Sequence, residues 1–587
     1  MAEPEKIDLV VVGAGFNGLV AAKTYLGLNP RAKVLILDSA SSVGGVWAKH
    51  RLYPGLKTNN MLGTYEYSDF PMSTEVYGVR PGEFIPGSVV HQYLEDYTGR
   101  FIGKERLRLE TRVESAEHIE GGGWILTLLS GFNDKDALKE AKIYTKKLIV
   151  AAGMNSEAYL PKFVGSESFG APLFHPKDFL KHADTLKTAT NVCVFGGGKS
   201  AWDAVYEYAS KCIQVDWVIR KSGHGPTWMS PPYVTPLKKW LEKLAHTRFL
   251  TWFSPCVFGQ ADGYPRIRSF FHGTRIGRFI VDTFWGILGN DVNTLNKYDA
   301  HPETKKLNPW TNPFFIAAGF SILNYPTDFF DLVRNGIVRV HIDEIVSLSP
   351  NAVHLASGTR LPAEALVSGT GWKHSPVLRF LPSTLDLGLP RKATSEQTSM
   401  ISTADKEILS RFPRLRKQPE QGPDYKLLSE TQGISDADEE AEDTFEPYHL
   451  YRFMIPPSLV CDRDIAFAGS MMTFTTTIIA QTQALWIAAY FSPESSSPLP
   501  KETKPEDIEY SATLHNRFGK WRYPQGYGAK FPDMIFDALP YVDLLLEDLG
   551  LQRWRKGGVL AEIFQPYGPE DYRGLIMEWV ESKKGKV

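Results

Sequence analysis

Cysteine is scarce in this chain of 587 residues: four occur, Cys193, Cys212, Cys256 and Cys461. None stands in a C-x-x-C pair or at zinc-ligand spacing, which excludes a dithiol relay, a zinc site and a disulfide framework. A reducing compartment, the cytoplasm, is the expected setting. Charge of one sign is also missing. Sixty-five Lys and Arg face 67 Asp and Glu, a net charge of −2, so there is no basic surplus for general nucleic-acid binding. Long apolar runs are missing too. A bilayer span needs roughly 20 predominantly apolar residues, and the charge-free stretch Ile465–Pro493 is diluted by Thr, Ser and Gln. The opening MAEPEKID is too polar for a signal peptide. What the chain has in quantity is aromatic surface, with 14 Trp, 25 Tyr and 33 Phe, which suits a large flat ligand or a big core. At roughly 100–200 residues per domain the length allows three or four domains.

The first segment alternates strand and helix. Ile7–Val12 is a short β-branched run ending at glycines, Leu19–Leu28 has helical spacing, and Lys33–Leu37 is a second buried strand. This βαβ unit predicts a parallel sheet. Residues 107–129 alternate as an antiparallel meander, and Lys147–Ala152 returns to a buried strand. Asn191–Phe195, a glycine loop, a helix near Ala201–Ser210 and a strand Gln214–Ile219 repeat the first unit. Leu361–Gly371 reads as a strand returning to the first domain. Gln418–Glu446 is an acidic loop, with the charge run Asp436–Asp443 as a solvated face. Thr476–Phe491 is a charge-free helix sized for a core, and an extension follows residue 492.

Two glycine loops carry the chemistry. Gly13, Gly15 and Gly18 lie between strand and helix, spaced for a tight turn, a close approach of backbone to a pyrophosphate, and helix–strand packing. Asp38 ends the next strand, where a carboxylate accepts from a ribose 2′-OH and repels a 2′-phosphate. The loop therefore fits FAD or NAD. The second loop has Gly196, Gly198 and Ala201, with Lys199 and Ser200 at the helix start. Its next strand ends at Arg220 and Lys221, cations that would pair with a 2′-phosphate. That loop fits NADPH. Two dinucleotides imply electron flow from NADPH to a flavin. With no dithiol to receive the electrons, molecular oxygen is the remaining common acceptor, which points to a monooxygenase.

The residues resemble the flavin-containing monooxygenase family across most of positions 5–490. The resemblance runs through Gly44-Gly45-Val46-Trp47, Tyr53-Pro54-Gly55-Leu56, Thr58-Asn59 and Ser68-Asp69-Phe70-Pro71. The family fingerprint appears as Phe169, Ala171, His175 and Phe179, with Ala171 where the pattern has glycine. Thr370-Gly371-Trp372 and the helix around Ala480–Trp486 also fit. The extension, with Asp543–Asp548 and Tyr567–Gly574, is similar to fungal members that tailor secondary metabolites. Phe179 and Asn59 stand where Baeyer–Villiger relatives place Trp and Asp, which favours N/S-oxidation or hydroxylation.

The resemblance implies an α/β fold of two Rossmann-like dinucleotide-binding domains of the three-layer ββα type. FAD is expected on 1–158 and 363–491, and NADPH on 159–362. A helical, aromatic substrate insertion is expected at 226–324 and a C-terminal extension at 492–587. It also implies one oxygen of O2 transferred to an apolar or aromatic small molecule through a flavin C4a-hydroperoxide. Ketone oxygenation and a catalytically decayed flavin-binding scaffold are the alternatives. Asn59 is expected to be the catalytic amide beside flavin and nicotinamide. Gly45, Trp47 and Val113 join the flavin site, and His175 is a structural link between the nucleotide domains. Trp228, Trp240, Trp252, Phe253, Phe270, Phe271 and Trp285 are candidates for an aromatic cavity or for core. Arg275–Leu288 could contact a membrane surface peripherally.

Overall fold

The computed structural model describes residues 3–131, 139–235, 238–317, 319–373, 376–392, 395–420, 422–426, 428, 445–446, 448–493, 496–500, 504–524, 528 and 531–584. The run Asp436–Asp443 and most of the acidic loop lie outside them.

The first unit opens with β1 (Glu5–Val12), α1 (Phe16–Leu28) and β2 (Val34–Leu37). β3 (Lys57–Met61) pairs outside the main sheet with Phe84–Pro86. β4 (Leu107–Arg108), β5 (Thr111–His118), β6 (Trp124–Ser130) and β7 (Lys139–Val150) follow. β5, β6 and β7 form the antiparallel meander expected from the alternation. The inner end of β7 then pairs parallel with β1. The eight-stranded sheet is completed by β13 (Arg379–Leu381) beside β5 and β14 (Ile465–Phe467) beside β7.

The second unit is a five-stranded parallel sheet. Its order is β8 (Leu173–Phe174), β12 (Leu366–Ser368), β9 (Asn191–Phe195), β10 (Gln214–Ile219) and β11 (Val338–Ile342). Helix α2 (Lys199–Ala209) connects β9 to β10. Here the reading of Leu361–Gly371 is corrected. Its buried part, β12, pairs with β8 and β9 and so belongs to the second sheet. Parallel buried strands carry the same apolar run in either sheet, so composition could not assign it.

Between β10 and β11 of the second unit comes a helical insertion with α3 (Leu241–Ala245), α4 (Pro265–Gly273) and α5 (Arg275–Asn296). After β14 comes α6 (Thr476–Tyr490), then the extension with α7 (Pro505–Arg522), α8 (Ala538–Leu549) and α9 (Val559–Phe564). Residues Thr477–Tyr490 of α6 are all buried. That is why the helix carries no charge: α1 packs on one side and α8 on another. A single apolar core runs from Leu9 and Leu19 through Trp486 into Phe518 and Leu545. The extension is thus part of the globule. α8 is buried nearly all round rather than amphipathic, and its Asp543 is neutralised by Arg248. Among the described residues, no helix is long and apolar enough to cross a membrane.

Candidate active site

The two glycine loops share a geometry that separates packing glycines from open ones. At Gly13, with φ +111°, a Cβ would lie 2.3 Å from the carbonyl oxygen of Ala151. At Gly18 it would lie 1.9 Å from that of Gly13. These two are required by the fold. At Gly15 the nearest atom would be Gly45 Cα at 3.5 Å, an ordinary contact. The second loop repeats the scheme. Gly196, with φ +122°, faces the Gly369 carbonyl at 2.3 Å, whereas a Cβ at Gly198 would meet nothing within 4 Å. Ala201 replaces the third glycine, and the space it needs comes from Gly369, whose own Cβ would be 3.0 Å from that of Ala201. In neither loop is the middle glycine demanded by close packing: Gly15 would make only an ordinary contact with Gly45, and Gly198 faces open space.

Each loop also opens a helix without a capping side chain or an acid in its first turn. The first-turn N–H groups of α1 and α2 are therefore placed to receive phosphate oxygens. Asp38 accepts from Ala14 N at 2.7 Å and Ala40 N at 2.8 Å. Burial raises its pKa against the pull of those two N–H groups. The carboxylate is held at the edge of loop one, where a ribose would lie. The residues present fit FAD in loop one.

Loop two fits a phosphorylated nicotinamide dinucleotide. Arg220 and Lys221 follow β10, with Arg220 donating to Ser222 Oγ at 3.2 Å. Lys221 pairs with Asp424 at 2.9 Å, both side chains exposed. Lys199 is turned inward to an ion pair with Asp203 and donates to Asn324 Oδ1 at 3.0 Å. Ser200 is half-buried at the helix start.

The family motifs fall largely on the seam between the units. Tyr53 lies tilted against Phe179 with ring centroids 5.2 Å apart, and a Cβ at Gly55 would strike Glu207 of α2. His175 caps the turn at Pro176–His182, accepting from Lys177 N at 3.1 Å, and its ring meets Trp372 edge-on at 4.7 Å. Burial holds its pKa down near 4, which suits a neutral structural link. Trp47 is buried and donates to Tyr65 Oη at 3.0 Å. Val113 is buried with Val10 and Leu37, at the point where the register of β5 breaks.

A cavity lies where β3, the insertion and the extension meet, with about 770 Å³ of space free of protein atoms, part of it open to solvent. Its lining includes Asn59 and Asn60 of β3, the indoles of Trp228 and Trp285, and Ile535 and Phe536 of the extension. Trp252 and Phe253 are core, and Phe270 is exposed. Asn59 is connected to loop two, since Asn324 donates to Thr58 O at 3.0 Å and to Asn59 Oδ1 at 3.4 Å while holding Lys199. Sequence reasoning missed Asn60, Glu242, Asn324 and the extension's pair. Asn60 bonds both Glu242 and, at 2.8 Å, Phe474 O. The T-N-N triplet was the available signal for Asn60.

The family described as L-lysine 6-monooxygenase/L-ornithine 5-monooxygenase matches residues 88–231, and an NAD(P)-binding Rossmann-like domain matches residues 11–68. The chain is 33% identical to the FAD-dependent monooxygenase rstn6 of Aspergillus nomiae, over 98% of each chain. It is 31% identical to the FAD-dependent monooxygenase DEP4 of Alternaria brassicicola, over 99% of this chain and 96% of that one. Among solved structures, cyclohexanone monooxygenase from Rhodococcus sp. Phi1 bound to NADP+ is similar with a TM-score of 0.57 at 15% identity, covering 93% of this chain and 98% of that one. Polycyclic ketone monooxygenase from Thermothelomyces thermophila is similar with a TM-score of 0.56 at 14% identity, covering 93% and 88%. At those identities the likeness is one of fold.

Proposed function

The chain belongs to the FAD-dependent monooxygenase family, and from that premise we propose that, with FAD and NADPH as its cofactors, it oxygenates an apolar secondary metabolite in the Asn59 cavity. Bound FAD, reduced by NADPH, supplies the activated oxygen. The protein's own part is to bind, orient and keep water out. Asn59 presents its side-chain amide at the polar end of the cavity, and Asn324 fixes that amide relative to Lys199. The apolar walls hold the substrate and exclude solvent from the transfer. Lys199 and Ser200 start the helix that receives the NADPH phosphates, and Arg220 with Lys221 reads the 2′-phosphate. The reaction is oxygen transfer to nitrogen, sulfur or an electron-rich carbon. Ketone oxygenation remains the alternative outcome of the same product analysis.

The carrying observation is the junction of an apolar cavity with an amide that is tied to the second glycine loop. The test is turnover under isotopically heavy O2 across candidate metabolites. Products should be one labelled oxygen heavier, with NADPH consumed and NADH used poorly. Asn59→Ala should keep flavin content and NADPH oxidation while releasing hydrogen peroxide in place of product. Tight coupling in that variant would remove Asn59 from the site.

One further observation favours peripheral membrane contact. On α5, Ile276, Phe279 and Ile287 are 68%, 71% and 67% exposed along one stripe flanked by Arg275 and Arg278, while Trp285, Leu288 and Val292 of the same helix line the cavity. Sedimentation with anionic vesicles should carry the enzyme down, and Phe279→Glu should leave it in the supernatant. We read the compartment as the cytoplasm, on the four free cysteines.

A further inference from the structure

Four side chains in the cavity wall are polar and not aromatic: Asn59, Asn60, Glu242 and Ser321. The Asn60 amide donates to Glu242 and Phe474 O, and Asn59 Oδ1 accepts from Asn324. The two indoles of the wall are also satisfied, Trp228 by Thr311 O at 3.0 Å and Trp285 by Phe253 O at 2.9 Å. The other two polar groups differ: the carboxylate of Glu242 has donors but no counter-charge, and the Ser321 hydroxyl has no partner among the described residues. Glu242 is 7% exposed and accepts from the Asn60 amide and, at 3.4 Å, from Met61 N. The Thr64 and Trp240 side chains also donate to it, and among the described residues no ion pair to it is found. Ser321 is 5% exposed, and its buried Oγ has no hydrogen-bond partner among the described residues. A buried hydroxyl left unpaired and a buried carboxylate without a counter-charge both destabilise the fold. Both line one cavity, so an occupant can satisfy both.

We propose that Glu242 and Ser321 determine specificity: the cavity takes an apolar molecule whose polar head donates a hydrogen bond to Glu242 and satisfies the Ser321 hydroxyl. The inference rests on the cavity being the substrate site. Two heads share this chemistry, a neutral hydroxyl and a protonated amine. The pH dependence tells them apart. Burial lifts the Glu242 carboxyl to about 7. The neighbouring Tyr65 phenol is pushed up to about 12 and His246, one turn along α3, is held down near 4. Lys243 lies over the Trp240 ring at 4.6 Å. Glu242 alone of Glu242, Tyr65 and His246 therefore changes charge near neutrality.

The test is calorimetric binding of n-decanol, n-decylamine and decyl methyl ether to the FAD-loaded enzyme with NADP+. The alcohol, the amine or both should bind about tenfold or more tighter than the ether, as expected for a hydrogen bond to a charged group. An amine head gains affinity as pH rises through the Glu242 transition, whereas a hydroxyl head shows no such gain. Glu242→Leu should abolish the preference and Ser321→Ala should reduce it a few-fold. Glu242→Gln, which keeps an acceptor oxygen, should retain the alcohol's advantage and lose the amine's. Should Glu242→Leu fail to load FAD, the Gln and Ala variants carry the comparison. Equal binding of all three compounds to the wild type, or a preference that survives at Glu242→Leu, overturns the proposal alone. If none of the three binds, the cavity is not the substrate site and both readings fall.

Discussion

At Gly15 an added methyl group would meet only Gly45 at 3.5 Å, whereas at Gly18 it would lie 1.9 Å from the Gly13 carbonyl. The two glycines were one motif in the sequence, but the structure gives them different work. Gly18→Ala should cost stability with or without cofactor, because helix and strand must separate. Gly15→Ala should fold with an apo-protein melting temperature near that of the wild type and yet purify colourless. Flavin absorbance per mole of protein, beside apo-protein melts of both variants, checks this. A yellow Gly15→Ala would remove the pyrophosphate from that loop. Glu242 yields a second prediction at this scale. Its carboxyl is raised from 4.5 to about 7, chiefly by burial, so the folded state holds its proton more tightly than the unfolded chain does. The fold then loses stability as pH rises from about 4.5 to about 7, by up to about 3 kcal/mol in all, and the loss vanishes well below pH 4.5, where both states are protonated. Glu242→Gln lacks this dependence. Its stability relative to wild type should improve from about pH 5 to about pH 8 in urea titrations, and a constant difference would contradict the burial. Nothing in the sequence marked this glutamate, since an acid in a short run such as LEKLA reads as solvent-facing.

Among the elements, both βαβ units were legible because strand runs, glycine spacing and helical period are local signals. β12 was not, because the choice of sheet depends on which neighbours complete it. The end of β10 shows the same limit. Arg220 and Lys221 were visible as cations after β10, but not the segment at 422–426 that lies against them. Lys426 N donates to Ser222 O at 3.0 Å, Arg220 donates to Lys426 O at 3.3 Å, and Asp424 pairs with Lys221. A 2′-phosphate must compete with the Asp424 carboxylate for Lys221. Asp424→Asn should therefore lower KM for NADPH a few-fold and leave KM for NADH unchanged. Lys221→Ala should raise KM for NADPH and abolish the effect of Asp424→Asn, so a double-mutant cycle in NADPH oxidation decides whether the pair is coupled. An equal change for NADPH and NADH would mean that the segment acts on folding rather than on phosphate reading.

For the whole molecule, the cavity is assembled from β3, the insertion and the extension, parts that no local pattern connects. Arg248 shows how they are joined. It is fully buried, paired in a fork with Asp543, with Glu562 on its Nε at 2.5 Å, and it donates to Arg553 O at 3.0 Å and to Tyr567 Oη at 3.3 Å. One residue of the insertion thus holds four residues of the extension, whose Ile535 and Phe536 line the cavity. Removing it leaves two carboxylates without a counter-charge in the interior. Arg248→Met should then cost about 3–5 kcal/mol, the usual loss when a buried pair is broken on one side. The extension should become protease-sensitive before the rest of the chain. The same physics makes a rescue possible, because a buried ion pair replaced whole by apolar groups of similar size is often neutral. Arg248→Met combined with Asp543→Leu and Glu562→Leu should regain most of the lost stability and the protection of the extension, read by denaturant melts and limited proteolysis. If the single variant melts like the wild type, the latch is elsewhere. If the triple variant stays as weak as the single one, the latch depends on the hydrogen bonds to Arg553 and Tyr567 rather than on cancelling charge.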